Sequence, residues 1–183
     1  MTGSRERAGV GAPSGATLLA ALLATALLIA ACAPNAPDPA TTTDPARRIV
    51  ALAPHLAELT FAAGAGGRLV GVVEFSNHPE AARALPRVGD AFRIDLEALA
   101  ALKPDLVLGW PSGNSPAALE RVRRLGYRVV ELEPRRLADV GDQIEAIGRL
   151  AGTEREARQA SGAWRDGLAA LQARFQLAPW QMS

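Results

Sequence analysis

The sequence predicts an α/β fold, a Rossmann-like parallel sheet covered by helices and followed by one long helix. Three observations carry that prediction. Short apolar runs without polar alternation recur at residues 48–53, 69–73, 106–109 and 128–132, the pattern of strands buried on both faces. Segments with helical spacing of apolar residues separate them, as parallel strands require of their crossovers. The last segment, residues 153–175, carries apolar residues in steps of three or four along its whole length, which is one face of an α-helix.

The elements follow in order from Arg47. Arg48-Ile49-Val50-Ala51-Leu52-Ala53 is the first strand. Pro54 opens the next helix, where its missing N–H costs little, and Leu56, Leu59, Thr60 and Ala63 share one face. Gly64-Ala65-Gly66-Gly67 ends that helix. Leu69-Val70-Gly71-Val72-Val73 is the second strand, and Glu74-Phe75-Ser76-Asn77-His78-Pro79 is the loop at its carboxyl end. A short helix or turn runs through Ala84, and residues 85–92 are extended and irregular. Asp95 stands at a helix N-cap ahead of Leu96, Leu99 and Leu102. Lys103 precedes Pro104, which disfavours further helix. Leu106-Val107-Leu108-Gly109 is the third strand, with Trp110 directly beyond it. Ligands of open α/β sheets bind outside the carboxyl ends of the strands, so a large aromatic there points to a ligand surface.

Asn114 or Ser115 is expected to cap the following helix, with Pro116 in its first turn, Leu119, Val122 and Leu125 inward, and Gly126 at its end. Arg128-Val129-Val130-Glu131-Leu132 is the fourth strand. Residues 137–150 are helical, with Val140, Ile144, Ile147 and Leu150 inward. Thr153 and Glu156 have the spacing of a capping box. The stripe of the long helix is Ala157, Ala160, Trp164, Leu168, Leu171 and Phe175.

Ahead of the fold, residues 17–29 form an apolar run after a start that carries Arg5 and Arg7. It is shorter than the roughly 20 residues of a membrane-spanning helix and fits the apolar region of a secretory signal. Ile29-Ala30-Ala31-Cys32 sets small residues before the sole cysteine, an arrangement that resembles the bacterial lipobox, with cleavage before Cys32 and lipid on its sulfur. The expected organisation is a lipoprotein signal peptide over 1–31, a Pro- and Thr-rich tether over 32–46, an α/β lobe over 47–150, the long helix over 151–177 and a tail over 178–183. Of the 183 residues, 49% are apolar, enough for a core. The formal net charge of +1 gives no reason to expect a nucleic-acid partner. Arg121, Arg123, Arg124, Arg128, Arg135 and Arg136 cluster in sequence and read as a solvated face.

Several of these motifs together resemble the periplasmic binding proteins for cobalamin and ferric siderophores. They are Arg48-Ile49-Val50-Ala51-Leu52-Ala53-Pro54 with Glu58-Leu59, Leu69-Val70-Gly71-Val72, Ser76-Asn77-His78-Pro79, Leu85-Pro86-Arg87-Val88-Gly89, and Leu96-Glu97 through Leu102-Lys103-Pro104-Asp105-Leu106-Val107. Trp110 with Gly113-Asn114 close behind resembles the cobalamin-binding members in particular. The resemblance implies a cell-envelope receptor that captures a corrinoid for an ABC importer, with a ferric-siderophore or haem receptor as the alternative. It implies two α/β lobes bridged by a long rigid helix. The sequence matches the first lobe and the bridge only, so a second lobe is expected to be missing, through a truncated or frameshifted reading frame; a nonfunctional fragment is a further alternative.

The same resemblance assigns site residues. Phe75 and Trp110 match aromatics that line the cleft, and Phe92 stands beside Ala91, where the family places a tryptophan. Pro54 and His55 border the same edge. A corrin ring is broad, flat and apolar at its rim, so aromatic faces and edges suit it. Glu97 matches an exposed acidic residue that docks on permease arginines. No cofactor, protein-bound metal or catalytic group is expected. His55 and His78 lack paired-ligand spacing for zinc. Ala53-Pro54-His55-Leu56-Ala57 stands where a dinucleotide site needs a glycine-rich turn, and Gly64, Gly66 and Gly67 follow the helix rather than precede it. Ser76 and His78 have no third partner for a triad.

Overall fold

Four parallel strands pair in the order β2-β1-β3-β4, with β1 at Ile49–Ala51, β2 at Leu69–Val72, β3 at Leu106–Gly109 and β4 at Val129–Glu131. This structure, a computed structural model, describes residues 44–175. The expected signal peptide, Cys32, most of the tether and the tail lie outside the described residues. Across the central pair, Ile49 stands opposite Leu106 and Ala51 opposite Leu108. All four residues of β3 are buried, as its unbroken apolar run requires.

The side-chain alternation of β1 and β3 divides the core in two. Ile49, Ala51, Leu106 and Leu108 face Leu56 and Ala57 of α1 (Pro54–Ala62) and Ile144 and Ile147 of α4 (Asp139–Ala151). Val50, Leu52 and Val107 face Leu99 of α2 (Leu96–Leu102) and Leu119 and Val122 of α3 (Pro116–Arg124). The chain leaves β1 to one side for β2 and returns on the other for β3. That reversal opens a crevice at the carboxyl ends of the two central strands.

Local chemistry fixes the element ends. Asp95 caps α2 as its position predicts, accepting from the Glu97 and Ala98 amides at 3.0 Å each. Asp105 accepts from the Arg47 and Arg48 amides at 2.8 and 3.0 Å, which binds the start of β1 to the start of β3. Two capping expectations fail. Ser115 holds the N-cap position of α3 without a side-chain bond, and the Asn114 side chain is committed to other loops. Thr153 donates instead to the Ala63 carbonyl at 2.7 Å and Glu156 pairs with Arg155, so the reciprocal box does not form. The turn into α5 (Glu154–Phe175) is so tight that Thr153 already donates its amide to Gly148, 2.8 Å away. Leu125 also departs from expectation: it is 56% exposed, because α3 ends at Arg124 and Leu125 lies past its last inward turn.

Helix α5 packs only through its first half. Ala157 and Ser161 are buried against α4, while Leu171 and Phe175 are 48% and 57% exposed. Small residues make the contact close: a Cβ at Gly148 would collide with the Cβ of Ala157. Arg165 then clamps the pair, donating to Asp142 at 2.7 Å and Glu145 at 2.9 Å, and the Ser161 hydroxyl donates to Glu145 at 2.8 Å.

Two glycines of this helix pair test the packing with opposite signs. Gly148→Val forces the helices apart and is expected to cost about 1–3 kcal/mol, the usual cost of overpacking. Gly162 has open space where a Cβ would stand, so Gly162→Ala is expected to gain about 0.5–1 kcal/mol of helix propensity. Urea unfolding of the two variants measures both.

Candidate functional site

Trp110 is the first residue beyond β3 and starts a turn in which its carbonyl accepts from Gly113 and Asn114 at 3.1 and 2.7 Å. Only glycine fits at 113, because a Cβ there would overlap the indole. The Trp110 ring is half-buried rather than lost in the core. Its edge meets His55 of α1, with centroids 5.0 Å apart and planes at 84°. Its Nε1 donates to Glu133 at 3.3 Å.

Glu133 follows β4 at the same end of the sheet. It also accepts from the Ser112 hydroxyl at 2.8 Å and the Ser112 amide at 3.0 Å. The Ser112 hydroxyl bond comes first in holding its carboxyl below the ordinary range, helped by the Ser112 amide, the Trp110 indole and the nearby charge of Arg135. His55 moves the other way in charge: burial lowers its pKa, against the opposing pull of Glu133 and Glu58, so the ring is neutral at neutral pH. Its Nε2 is buried and meets no hydrogen-bond partner among the described residues.

These groups border a hollow of about 400 Å³. Leu59, Pro134, Val140 and Trp164 supply most of its apolar wall, with Trp110 and His55. Among the described residues its charged lining groups are Glu58 and Glu133, with no lysine or arginine. Among the described residues no cluster of histidine, cysteine, aspartate or glutamate could hold a metal ion.

The structure places the other sequence-derived residues at the same sheet edge or behind it. Phe75 is 78% exposed and holds a left-handed backbone, φ 66°, unusual outside glycine. Phe92 is 73% exposed at the tip of a turn in which Asp90 accepts from the Phe92 and Arg93 amides at 2.7 Å each. The two loops are joined where the Glu74 amide donates to Gly89 at 2.8 Å. Neither phenylalanine lines the hollow; both stand in solvent at its end of the sheet. Pro54 and Ala91 are half-buried. Glu97 is exposed on α2, which covers the opposite face of the sheet from α1. Arg123 pairs with Glu131 and Arg136 with Asp139, so these members of the arginine cluster are engaged at the surface.

Glu133, Asn114 and Trp164 are the site residues the sequence reading missed. The rule that singled out Trp110, a residue just past a strand's carboxyl end, applies equally to Glu133 after β4. Trp164 fell into a periodic stripe that reads as interior. Asn114 entered the reading as a possible cap and as part of the Gly113-Asn114 motif, with no bonding role assigned to its side chain.

Comparison with known proteins agrees with this architecture. A sequence profile of the family described as periplasmic binding protein matches residues 49–178. The vitamin B12-binding protein of Vibrio vulnificus strain YJ016 is 37% identical over 135 residues, covering 74% of this chain and 50% of that protein. The crystal structure of the periplasmic vitamin B12 binding protein BtuF of Vibrio cholerae superposes with a TM-score of 0.69 at 36% identity, over 72% of this chain and 52% of the other. A periplasmic heme binding protein from Pseudomonas aeruginosa superposes with a TM-score of 0.63 at 28% identity, over 73% of this chain and 50% of the other. The chain thus spans about half the length of the relatives it matches.

The buried imidazole makes stability depend on pH. The unfolded chain takes up a proton near the ordinary value of 6.5, whereas the folded His55 resists it to lower pH. Stability is therefore full above that value and falls as pH drops below it, until the folded ring protonates. Unfolding free energy measured from pH 7 to pH 5 is expected to decline in the wild type and to decline less in His55→Asn.

Proposed function

The chain belongs to the periplasmic binding protein family, and we propose that it forms the ligand-capturing lobe of a substrate-binding component that takes up cobalamin for an ABC importer. The observation that carries the choice of ligand is the charge of the hollow beside Trp110. Its wall is apolar, its imidazole is neutral, and its two ionic groups, Glu58 and Glu133, are both acidic. A corrinoid offers an apolar macrocycle edged with neutral amides, whose N–H groups donate to carboxylates. Haem carries two propionate carboxylates and catecholate or carboxylate ferric siderophores are anionic, and two glutamates would repel them. A haem receptor is the second reading, supported by the likeness to the heme binding protein of Pseudomonas aeruginosa.

In this reading the mechanism is capture, with no bond made or broken. Trp110 and the His55 edge receive the macrocycle, Pro54 lies at the rim, and Phe75 and Phe92 supply aromatic surface that is costly to leave in water. Ala91 leaves room where a larger ring would stand. A second lobe would close over the ligand from the far side, with α5 as the rigid bridge. Glu97 would steer the loaded protein onto arginines of the permease, an effect on encounter more than on affinity. Cys32, lipidated after removal of residues 1–31, would hold the protein at the membrane through the tether.

Titration calorimetry with cyanocobalamin and with haemin tests the reading. One cyanocobalamin is expected to bind per chain, with a negative heat-capacity change from apolar burial, and more tightly than haemin. Trp110→Ala removes an aromatic contact of about 1.5–3 kcal/mol, so affinity should fall by roughly ten- to a hundredfold. Tighter binding of haemin, or no heat with cyanocobalamin up to its solubility limit, ends the proposal.

A further inference from the structure

We propose that Asn114 is the positioning residue of the ligand edge: one buried carboxamide locks the three strand-end loops that carry the site into a single rigid surface. The inference rests on the reading of that edge as the ligand surface. Asn114 is 3% exposed, precedes α3, and makes three side-chain hydrogen bonds, none of them to that helix. Its Nδ2 donates to the Leu52 carbonyl at 2.9 Å, at the end of β1 just before Pro54 and His55. The same nitrogen donates to the Ala91 carbonyl at 2.8 Å, in the loop whose next residue is Phe92. Its Oδ1 accepts from the Trp110 amide at 2.7 Å.

The chemistry selects the residue type. Two carbonyls must be met by donors and one amide by an acceptor, all within one side chain of this length. Asparagine offers both kinds of group, while aspartate offers oxygen alone when ionised. The Leu52 amide already pairs with Leu108, but the Leu52 and Ala91 carbonyls and the Trp110 amide meet the carboxamide, and without it each would be a buried polar group to resolve separately. A ligand that contacts all three then gains from having their relative positions set before it arrives. Asn114 touches no ligand in this account. It acts through the backbone of Leu52, Ala91 and Trp110.

The test compares the full wild-type chain with Asn114→Asp and with Leu106→Val, a core change at the opposite end of β3. Asn114→Asp keeps the acceptor for Trp110 but turns oxygen toward the Leu52 and Ala91 carbonyls. Hydrogen exchange is expected to speed up about tenfold or more at amides 89–93, 110 and 112–114 while amides 106–108 stay protected. In Leu106→Val loops and strand should accelerate together. Cyanocobalamin affinity, measured well below each variant's melting temperature, should fall about tenfold in Asn114→Asp and stay unchanged in Leu106→Val. Equal acceleration of loops and strands in Asn114→Asp, or unchanged affinity with altered stability alone, overturns the proposal. Should Asn114→Asp not fold, Asn114→Ala, which introduces no charge, decides by the same comparison. If the wild type binds no cyanocobalamin, the functional reading fails by itself, and the exchange comparison still judges the role of Asn114.

Discussion

Burial of β1 and β3 on both faces is the constraint from which the rest of the structure follows. Helices cover the two sides, so the central strands meet the outside only at their ends. Backbone groups at those ends must still find partners. At the amino end Asp105 meets the Arg47 and Arg48 amides, and the Arg48 guanidinium donates to the Leu102 carbonyl at 2.6 Å. At the carboxyl end the Leu52 amide reaches Leu108 at 2.9 Å and its carbonyl reaches Asn114. One end is closed by the charged side chains of Asp105 and Arg48 meeting backbone groups. The other is closed by a side chain that comes from across the crevice and leaves the aromatic rings at the surface.

Electrostatics at that open edge are set by hydrogen bonding more than by net charge. Glu133 is kept ionised by the groups that it also orients, the Ser112 hydroxyl and amide and the Trp110 indole. The carboxylate therefore fixes the tryptophan and gives the hollow its sign in one arrangement. Burial keeps the neighbouring His55 neutral, so it does not cancel that sign. A chain with twenty lysines and arginines and a formal charge of +1 thus presents an acidic, apolar hollow. Global charge carried no information about it.

Helix α5 shows how a periodic stripe can serve two environments. Its first half meets α4 through Gly148, Ala157 and Ser161, where small residues allow close approach. Its second half carries Leu171 and Phe175 outward. Trp164 is the pivot: its indole donates to the Leu137 carbonyl at 2.8 Å while its ring borders the hollow. Periodicity reports that a helix has an apolar face. It does not report what that face touches.

The sequence by itself determined the α/β class, the four strands in order, the helix start at Pro54, the cap at Asp95, and the placement of Trp110 just beyond a buried strand. Those features are local: apolar period, proline geometry and capping chemistry act within a few residues. Tertiary structure alone decided the partnerships. Asn114 read as a helix cap and became a tie between Leu52, Ala91 and Trp110, residues up to 62 positions away. Thr153 read as half of a capping box and became an anchor to Ala63, 90 positions away. Glu133 met Trp110 only because β4 lies beside β3. Polar side chains have several partners within reach of their chemistry, and which one they take depends on where the folded chain brings distant backbone close.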